Sequence, residues 1–373
     1  MAPSYELVRY EADLKPQVAA LQCHLWSPST ALNLAYFEWK HERNPYIEEP
    51  LVYLARCNGQ VVAMRGFAGT RWRVGAGDDS REFTALYADD LVIAPEHRNR
   101  GLLTKVMAKA FEDLSGSPFH YAVNLSPGPL SYLTALTGGW RSVGLMGPMR
   151  HLSWRTVLHR ARTRLGRRMP LLAPREREQA PFADIDAAWA TRSGAYAGLS
   201  LEQAPRCAEM AALIARVEDE RVRHVRDATY LQWRFQNPLS RYRYLYYGRQ
   251  SLEGYLVLQE YSSDYADRHV VNIVDWEASS LDIHTELLRA AIALTREREL
   301  FIWSATLPAT LTRLLVRNGF RLRPEPRSAT ELRHVLMLRP IRDVRSAGSW
   351  LFEDLPLAEL RSWDLRMLYS MHG

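Results

Sequence analysis

"DDLVIAPEHRNRGLLTKVM", residues 89–107, changes its periodicity once, and that change sets the architecture. The first half is a β-type run that stops at Pro95. After Gly101, Leu102, Leu103, Val106, Met107 and Ala110 recur at helical spacing and make an apolar stripe. The order is therefore strand, tight turn, helix. The turn holds Arg98, Asn99, Arg100 and Gly101. A helix start leaves its first amides unpaired and carries partial positive charge. A glycine there lets a ligand approach the backbone, and the arginines add full charge. Together these predict an anion site suited to phosphate.

Working outward, the chain repeats itself. Residues 36–45 read "YFEWKHERNP" and residues 230–238 read "YLQWRFQNP". A hairpin follows each. The first, "LVYLARCNGQVVAMRGFAG", turns at Asn58-Gly59, and the second is "YRYLYYGRQSLEGYLVLQEY". Then come a long strand ("FTALYADDLVIAP"; "RHVVNIVDWEA"), a helix, a short strand ("HYAVNLS"; "LFIWSAT") and a second helix. Each second helix ends in glycine and an aromatic, "TGGW" or "NGF", the usual exit from a helix into a strand. The expected fold is α/β, as two copies of one unit: helix, hairpin, long strand, helix, strand, helix, strand. The aromatic stripe around Trp39 and Trp233 reads as packing rather than as a ligand cage.

At 373 residues, 47% of them hydrophobic, the chain is long enough for two cores. Its formal charge is +6, carried mainly by arginine, with lysine only at positions 15, 40, 105 and 109. That excess is spread along the chain and accompanies no nucleic-acid-binding signature, so no nucleic acid partner is expected. Cys23, Cys57 and Cys207 lie far apart, form no CxxC pair and suggest no disulfide framework, and no metal-ligating motif occurs. No apolar run reaches membrane-spanning length, and the first residues do not resemble a signal peptide, so the expected location is cytoplasmic. Arginine-rich residues 155–181 read as a basic helix and linker.

Arg98-Asn-Arg-Gly101-Leu-Leu103 resembles the acyl-CoA-binding motif of the GNAT superfamily of N-acetyltransferases, in which Arg or Gln, two residues, Gly, one residue, then Gly or Ala recur. The last position departs, with leucine in place of a small residue. With the strand, hairpin and later helix included, the resemblance spans most of the chain as a tandem pair. It implies two tandem GNAT-like units, each a mostly antiparallel sheet flanked by helices. Residues 1–154 are the expected acyl-CoA-binding unit and 182–340 a degenerate second unit, with a tail at 341–373 packed on the second. The "DWEASSLDIHTELL" stretch of the second unit has no arginine-glycine turn, and Asp275, Glu277 and Asp282 are expected to repel pyrophosphate.

The resemblance also implies acetyl-CoA or another acyl-CoA as co-substrate, a small-molecule primary amine as acceptor, and acyl transfer to nitrogen. Its likeness is greatest to enzymes acting on nucleotide-linked amino sugars. A peptide, an amino acid or an antibiotic amine are alternative acceptors, and a CoA-binding module without catalysis is the alternative of another class. Carried over residue by residue, the cofactor positions are Leu91, Val92, Ile93, Arg98, Asn99, Arg100, Gly101, Leu102, Leu103 and Thr104, with the Val92 amide expected to face the thioester carbonyl. Asp89, Asp90, Asn124 and Tyr132 are the catalytic candidates. Asp89 and Asp90, adjacent on a strand, are expected to face opposite sides, Asp89 on the side of Tyr87. His97, next to the turn, reads as structural or phosphate-binding rather than as a base.

Overall fold

The computed structural model describes residues 3–152, 182–192, 194, 196–261, 270–324, 326 and 334–370; the basic segment 155–181 lies outside the described residues. The first unit runs β1 (Glu6–Arg9), α1 (Lys15–Leu21), α2 (Thr30–Phe37), β2 (Leu51–Cys57), β3 (Gln60–Val74), β4 (Arg81–Ile93), α3 (Leu102–Leu114), β5 (Tyr121–Asn124), α4 (Pro129–Thr137) and β6 (Arg141–Leu145), and β7 (Pro148–Leu152) follows. The second runs α5 (Ala183–Arg192), β8 (Leu199–Glu202), α6 (Cys207–Ile214), β9 (Val222–His224), α7 (Ala228–Arg234), β10 (Ser240–Tyr247), β11 (Gly254–Tyr261), β12 (Val270–Ala278), α8 (Leu281–Leu294), β13 (Glu299–Trp303), α9 (Ala309–Arg317) and β14 (Arg321–Leu322), with β15 (Val335–Pro340) after it. The repeat read from the sequence is present element for element. Asn58 and Gly59, at φ 50° and 80°, make the left-handed pair that a two-residue hairpin turn requires.

Among the described residues two large sheets form. The first has the order β1-β2-β3-β4-β5-β15-β6, and the second β14-β7-β13-β12-β11-β10-β8. Along both orders every neighbour is antiparallel except β4–β5 and β12–β13, each joined by the crossover helix read from the sequence. The sheets exchange strands. β15 follows the second unit yet lies between β5 and β6 of the first, while β7 follows the first unit yet lies between β13 and β14 of the second. Boundaries at 154 and 340 therefore divide the chain but not the sheets.

The crossing point is Met146-Gly147. The Met146 amide donates to the His334 carbonyl, and the Ser304 amide donates to the carbonyls of both Met146 and Gly147. Gly147 is left-handed, and a Cβ on it would sit 3.0 Å from the Ala305 nitrogen. Both the conformation and the close approach need glycine.

The two repeated motifs meet face to face. Trp39 and Trp233 stack with centroids 4.8 Å apart and an interplanar angle of 11°. Each indole N–H donates to the other's backbone carbonyl, at 2.7 and 2.8 Å. This reciprocity is what a two-fold relation between the repeats requires, and it satisfies two buried donors. Around the pair lies an aromatic core with contributions from both units and from Trp350, Trp363 and Tyr369 of the tail. A second core lies under α1 and α3, and a third under α8 and α9.

The tail binds both units. Tyr121 donates to the Leu351 carbonyl and Phe83 packs on Phe352. Trp363 and Asp364 pair with β9, and Arg366 reaches Glu277, which Arg226 also holds. Burial pushes the Glu277 carboxyl up, but the Arg366 and Arg226 charges overcome it and bring it down to about 2 from an ordinary 4.5.

Two outcomes are expected. Trp233→Ala opens a cavity between the units and costs about 3–5 kcal/mol in urea unfolding. Because the folded pKa of Glu277 is depressed, its contribution is complete above pH 4.5 and is lost as the pH falls toward 2. Glu277→Gln therefore lowers stability at neutral pH and flattens the acid limb of the melting-temperature profile.

Candidate functional site

β4 is held by β3 along its length but by β5 only at Ala85, Leu86 and Tyr87, whose partners are Tyr121, Ala122 and Val123. From Ala88 to Ile93 the side toward β5 is open. The Ala94 amide donates to the Val62 carbonyl on β3. Strand alternation then turns the Val92 amide toward β3 as well, and that of Ile93 toward the open edge. Arg98 Nε donating to the Ile93 carbonyl at 3.1 Å fits that direction. The amide that sequence reasoning favoured, that of Val92, thus faces a neighbouring strand by alternation from Ala94, while that of Ile93 faces the gap.

The turn into α3 is left-handed at Asn99 (φ 60°) and Gly101 (φ 70°). Gly101 stands at the N-cap and no side chain caps the helix. The first intrahelical donor is Lys105, so the amides of Leu102, Leu103 and Thr104 find no partner among the described residues. Arg98 and Arg100 are exposed, and Arg100 donates to the Glu96 carbonyl. Each arginine thus braces the loop while keeping its charge at the helix start. His97 is hydrogen-bonded to Tyr5.

The equivalent helix of the second unit begins differently. Ser280 caps α8 by accepting from the Ile283 amide. Asp275 and Glu277, expected to repel phosphate, are buried and paired with Arg226. The second helix start is closed by its own cap; these two acids are internal.

A cavity of about 430 Å³ lies between α3 and α4, over β4, β5 and β15. Leu91, Leu103, Thr104, Asn124, Ser131, Trp140 and Met337 are among its lining residues. Leu103, the departure from the motif, contributes its side chain to the wall. Asn124 lines the cavity and also accepts from the Ser126 amide, capping the next turn. Tyr132 is not brought to this lining; it packs on the core below α3.

The two aspartates do not face opposite sides. Asp90 is left-handed (φ 54°) at a bulge where the β3–β4 register slips between Met64 and Gly66. The bulge turns Asp90 toward the same cation as Asp89. Lys40 Nζ donates to Asp89 Oδ2 at 2.5 Å and to Asp90 Oδ1 at 3.1 Å. Asp90 also meets His41 Nε2 at 2.5 Å and the Trp26 indole at 2.9 Å. Burial pushes the Asp90 carboxyl up, but the Lys40 charge and the His41 hydrogen bond hold it below the usual carboxylate range. Asp90 is fully buried, whereas the Asp89 side chain keeps 14% exposure.

Lys40 and His41, which sequence reasoning missed, complete this buried cluster with Asp89 and Asp90. They belong to a π-helical turn, Glu38–Glu42, that follows α2. In a regular helix consecutive residues diverge by about 100°, but Trp39, Lys40 and His41 are all buried here. Tyr36, Trp26 and Tyr87 surround the ammonium, 5.1 to 5.9 Å from ring centres. The available signal was Lys40 itself, a lysine in a chain that uses arginine nearly everywhere. Gly66 is required beside it, since a Cβ there would approach His41 Cε1 to 2.7 Å.

Lys40→Met leaves two adjacent carboxylates without their shared cation and is expected to destabilise by about 3–5 kcal/mol in urea unfolding. Gly66→Ala is expected to cost about 1–3 kcal/mol by overpacking the His41 ring.

Residues 9–128 match the family model of an acetyltransferase (GNAT) domain. No curated protein matches the sequence. Among solved structures, a GCN5-related N-acetyltransferase from Anabaena variabilis is similar with a TM-score of 0.55 at 14% identity, over 91% of this chain and 73% of that one. A conserved protein of Enterococcus faecalis, described as a probable N-acyltransferase, gives 0.55 at 11% identity over 91% and 73%. A tandem GNAT protein from the clavulanic acid biosynthesis pathway gives 0.51 at 14% identity over 91% and 99%. The chain thus has the fold of the tandem GNAT structures, and within it residues 9–128 resemble a GNAT acetyltransferase domain.

Proposed function

We propose that the first unit is an acyl-CoA-dependent N-acyltransferase acting on a small-molecule primary amine. The observation that carries this reading is the open edge of β4 running directly into an uncapped α3. Ile93 presents its amide to the gap between β4 and β5, and the amides of Leu102 to Thr104 stand beyond it beside Arg98 and Arg100. An amide-rich arm ending in a diphosphate has the chemistry to fit both. The second unit offers no such pair, because Ser280 closes α8.

A bound CoA thioester supplies an activated acyl carbon: the amine nitrogen forms the new C–N bond, the C–S bond breaks, and the thiol departs. The chain's own groups orient and hold protons. The open-edge Ile93 amide of β4 is placed to receive a carbonyl oxygen as negative charge builds on it. Asp89 is the carboxylate of the pair that solvent reaches, so it is the one an incoming ammonium can meet and pass its proton to. Lys40, Asp90 and His41 position Asp89 from within. Asn124 lines the cavity from the opposite strand.

The acceptor proposed first is a nucleotide-linked amino sugar, supported by the sequence resemblance. A panel of amino sugars, amino acids, peptides and aminoglycosides with purified protein and acetyl-CoA tests it by amide product and free thiol. Acetyl-CoA is expected to raise the melting temperature of the wild type, and Arg100→Glu to weaken that shift by placing an anion at the helix start. Asp89→Asn is expected to lower kcat/KM about 100-fold while leaving the shift intact. A wild-type melting curve that acetyl-CoA does not move overturns the proposal.

A further inference from the structure

Three arginines line the cavity between α3 and α4: Arg65, Arg339 and Arg342. Two are engaged. Arg339 stacks on Phe111, 3.5 Å from the ring centre, and donates to the Gly138 and Pro340 carbonyls. Arg342 donates to the Ser117 carbonyl. Arg65 is the most buried of them, at 5% exposure, and its Nε has no hydrogen-bond partner. It forms no ion pair or hydrogen bond among the described residues. Asp89 and Asp90 act on it only through space, and both are held by Lys40. Burial lowers the Arg65 pKa, yet a guanidinium stays charged at any physiological pH.

The Phe67 ring, 5.8 Å from the Arg65 guanidinium carbon, is its near contact, and a buried cation with no hydrogen-bonded counter-charge is costly to the fold that holds it. Here it faces a cavity, and its position tells which part of a ligand it would meet. The β3–β4 register pairs Met64 with Val92 and Gly66 with Asp89, so Arg65 lies across the bulge from Asp90 and Leu91. That level falls within the stretch of β4, Ala88 to Ile93, that β5 leaves unpaired. The helix start that suits a diphosphate lies about ten residues further along the chain, beyond Pro95. Arg65 therefore stands at the acyl end of the site rather than the phosphate end, with Leu91 and Asn124 beside it.

We propose that Arg65 receives a carboxylate on the acyl group, so that the preferred donor is a dicarboxylic acyl thioester rather than a plain acetyl or alkanoyl one. This rests on the acyl-CoA reading above. A guanidinium fork matches a carboxylate with two parallel hydrogen bonds and supplies the missing counter-charge. It also gives a reason for keeping a guanidinium with an unsatisfied Nε beside Leu91, Met107, Phe111 and Met337.

The test is calorimetric titration of the full chain with CoA, acetyl-CoA, butyryl-CoA and succinyl-CoA, in wild type, Arg65→Met and Arg65→Lys. Wild type is expected to bind succinyl-CoA about 10- to 100-fold more tightly than butyryl-CoA, the span of one charge-assisted contact. Arg65→Met is expected to abolish that preference while CoA and acetyl-CoA stay within about twofold, and Arg65→Lys to restore part of it. Ligand-free Arg65→Met is expected to melt higher than wild type, which also establishes that the variant folds.

Equal binding of butyryl- and succinyl-CoA by wild type overturns the proposal. So does an equal loss for all four ligands in Arg65→Met, which assigns Arg65 to the part they share. A selective effect of Arg65→Met on the KM of carboxylate-bearing amines, with donor affinity unchanged, overturns it in favour of the acceptor. If CoA and acetyl-CoA bind and only the succinyl preference is missing, the acyl-CoA reading stands without this one. If none of the four binds, both fall.

Discussion

The placement of β15 is the constraint on which the rest depends. β5 is short, and beyond Val123 it no longer pairs with β4. Its other edge is closed only because Met337 to Pro340, from the far end of the second unit, lie against it. The same strand carries Met337 and Arg339 into the cavity and holds β6 in the sheet. β7 repeats the arrangement in the second sheet. Unpaired strand edges are exposed to non-native pairing, and each unit closes its edge with a strand from the other. The candidate site in the first unit is therefore a property of the whole chain.

A second constraint is electrostatic. Two adjacent carboxylates, Asp89 and Asp90, are brought to one side of β4 by a bulge and share one buried ammonium. Such a cluster is costly to desolvate and tolerates no missing partner. Of its four members, Lys40 and His41 come from a π-helical turn and Asp90 is a left-handed strand residue, two uncommon backbone states placed opposite each other beside Asp89. Strain of this kind persists where surrounding packing over-determines it, here through the Trp39–Trp233 stack immediately beside Lys40. The second unit keeps the packing but not the cluster: the cation following Trp233 is Arg234, which donates to Tyr242 and to carbonyls of the tail.

Much of the fold was legible because its signals are local. Asn58-Gly59 encodes a hairpin turn through conformations that few residues adopt, and Gly101 encodes a helix start in the same way. The two aromatic motifs encode a repeat. The uncapped start of α3 against the Ser280-capped start of α8 follows from single side chains. What sequence reasoning misjudged were directions. It placed Asp89 and Asp90 on opposite faces, because strict alternation was applied across a bulge that only the register between β3 and β4 defines.

By itself, then, the sequence determined the type and order of the elements, the duplication, and the glycine turn proposed to hold an anion, since each depends on residues within a few positions of one another. The tertiary structure decided which strands pair, which residues surround the cavity, and where Arg65 and Lys40 point. Those depend on partners tens to hundreds of residues away: Asn124 meets Met337, Trp39 meets Trp233, and Lys40 meets Asp89 and Asp90. Hydrogen-bond pairing between strands is chemically uniform along the backbone, so no local pattern names the partner; packing of the finished cores selects it.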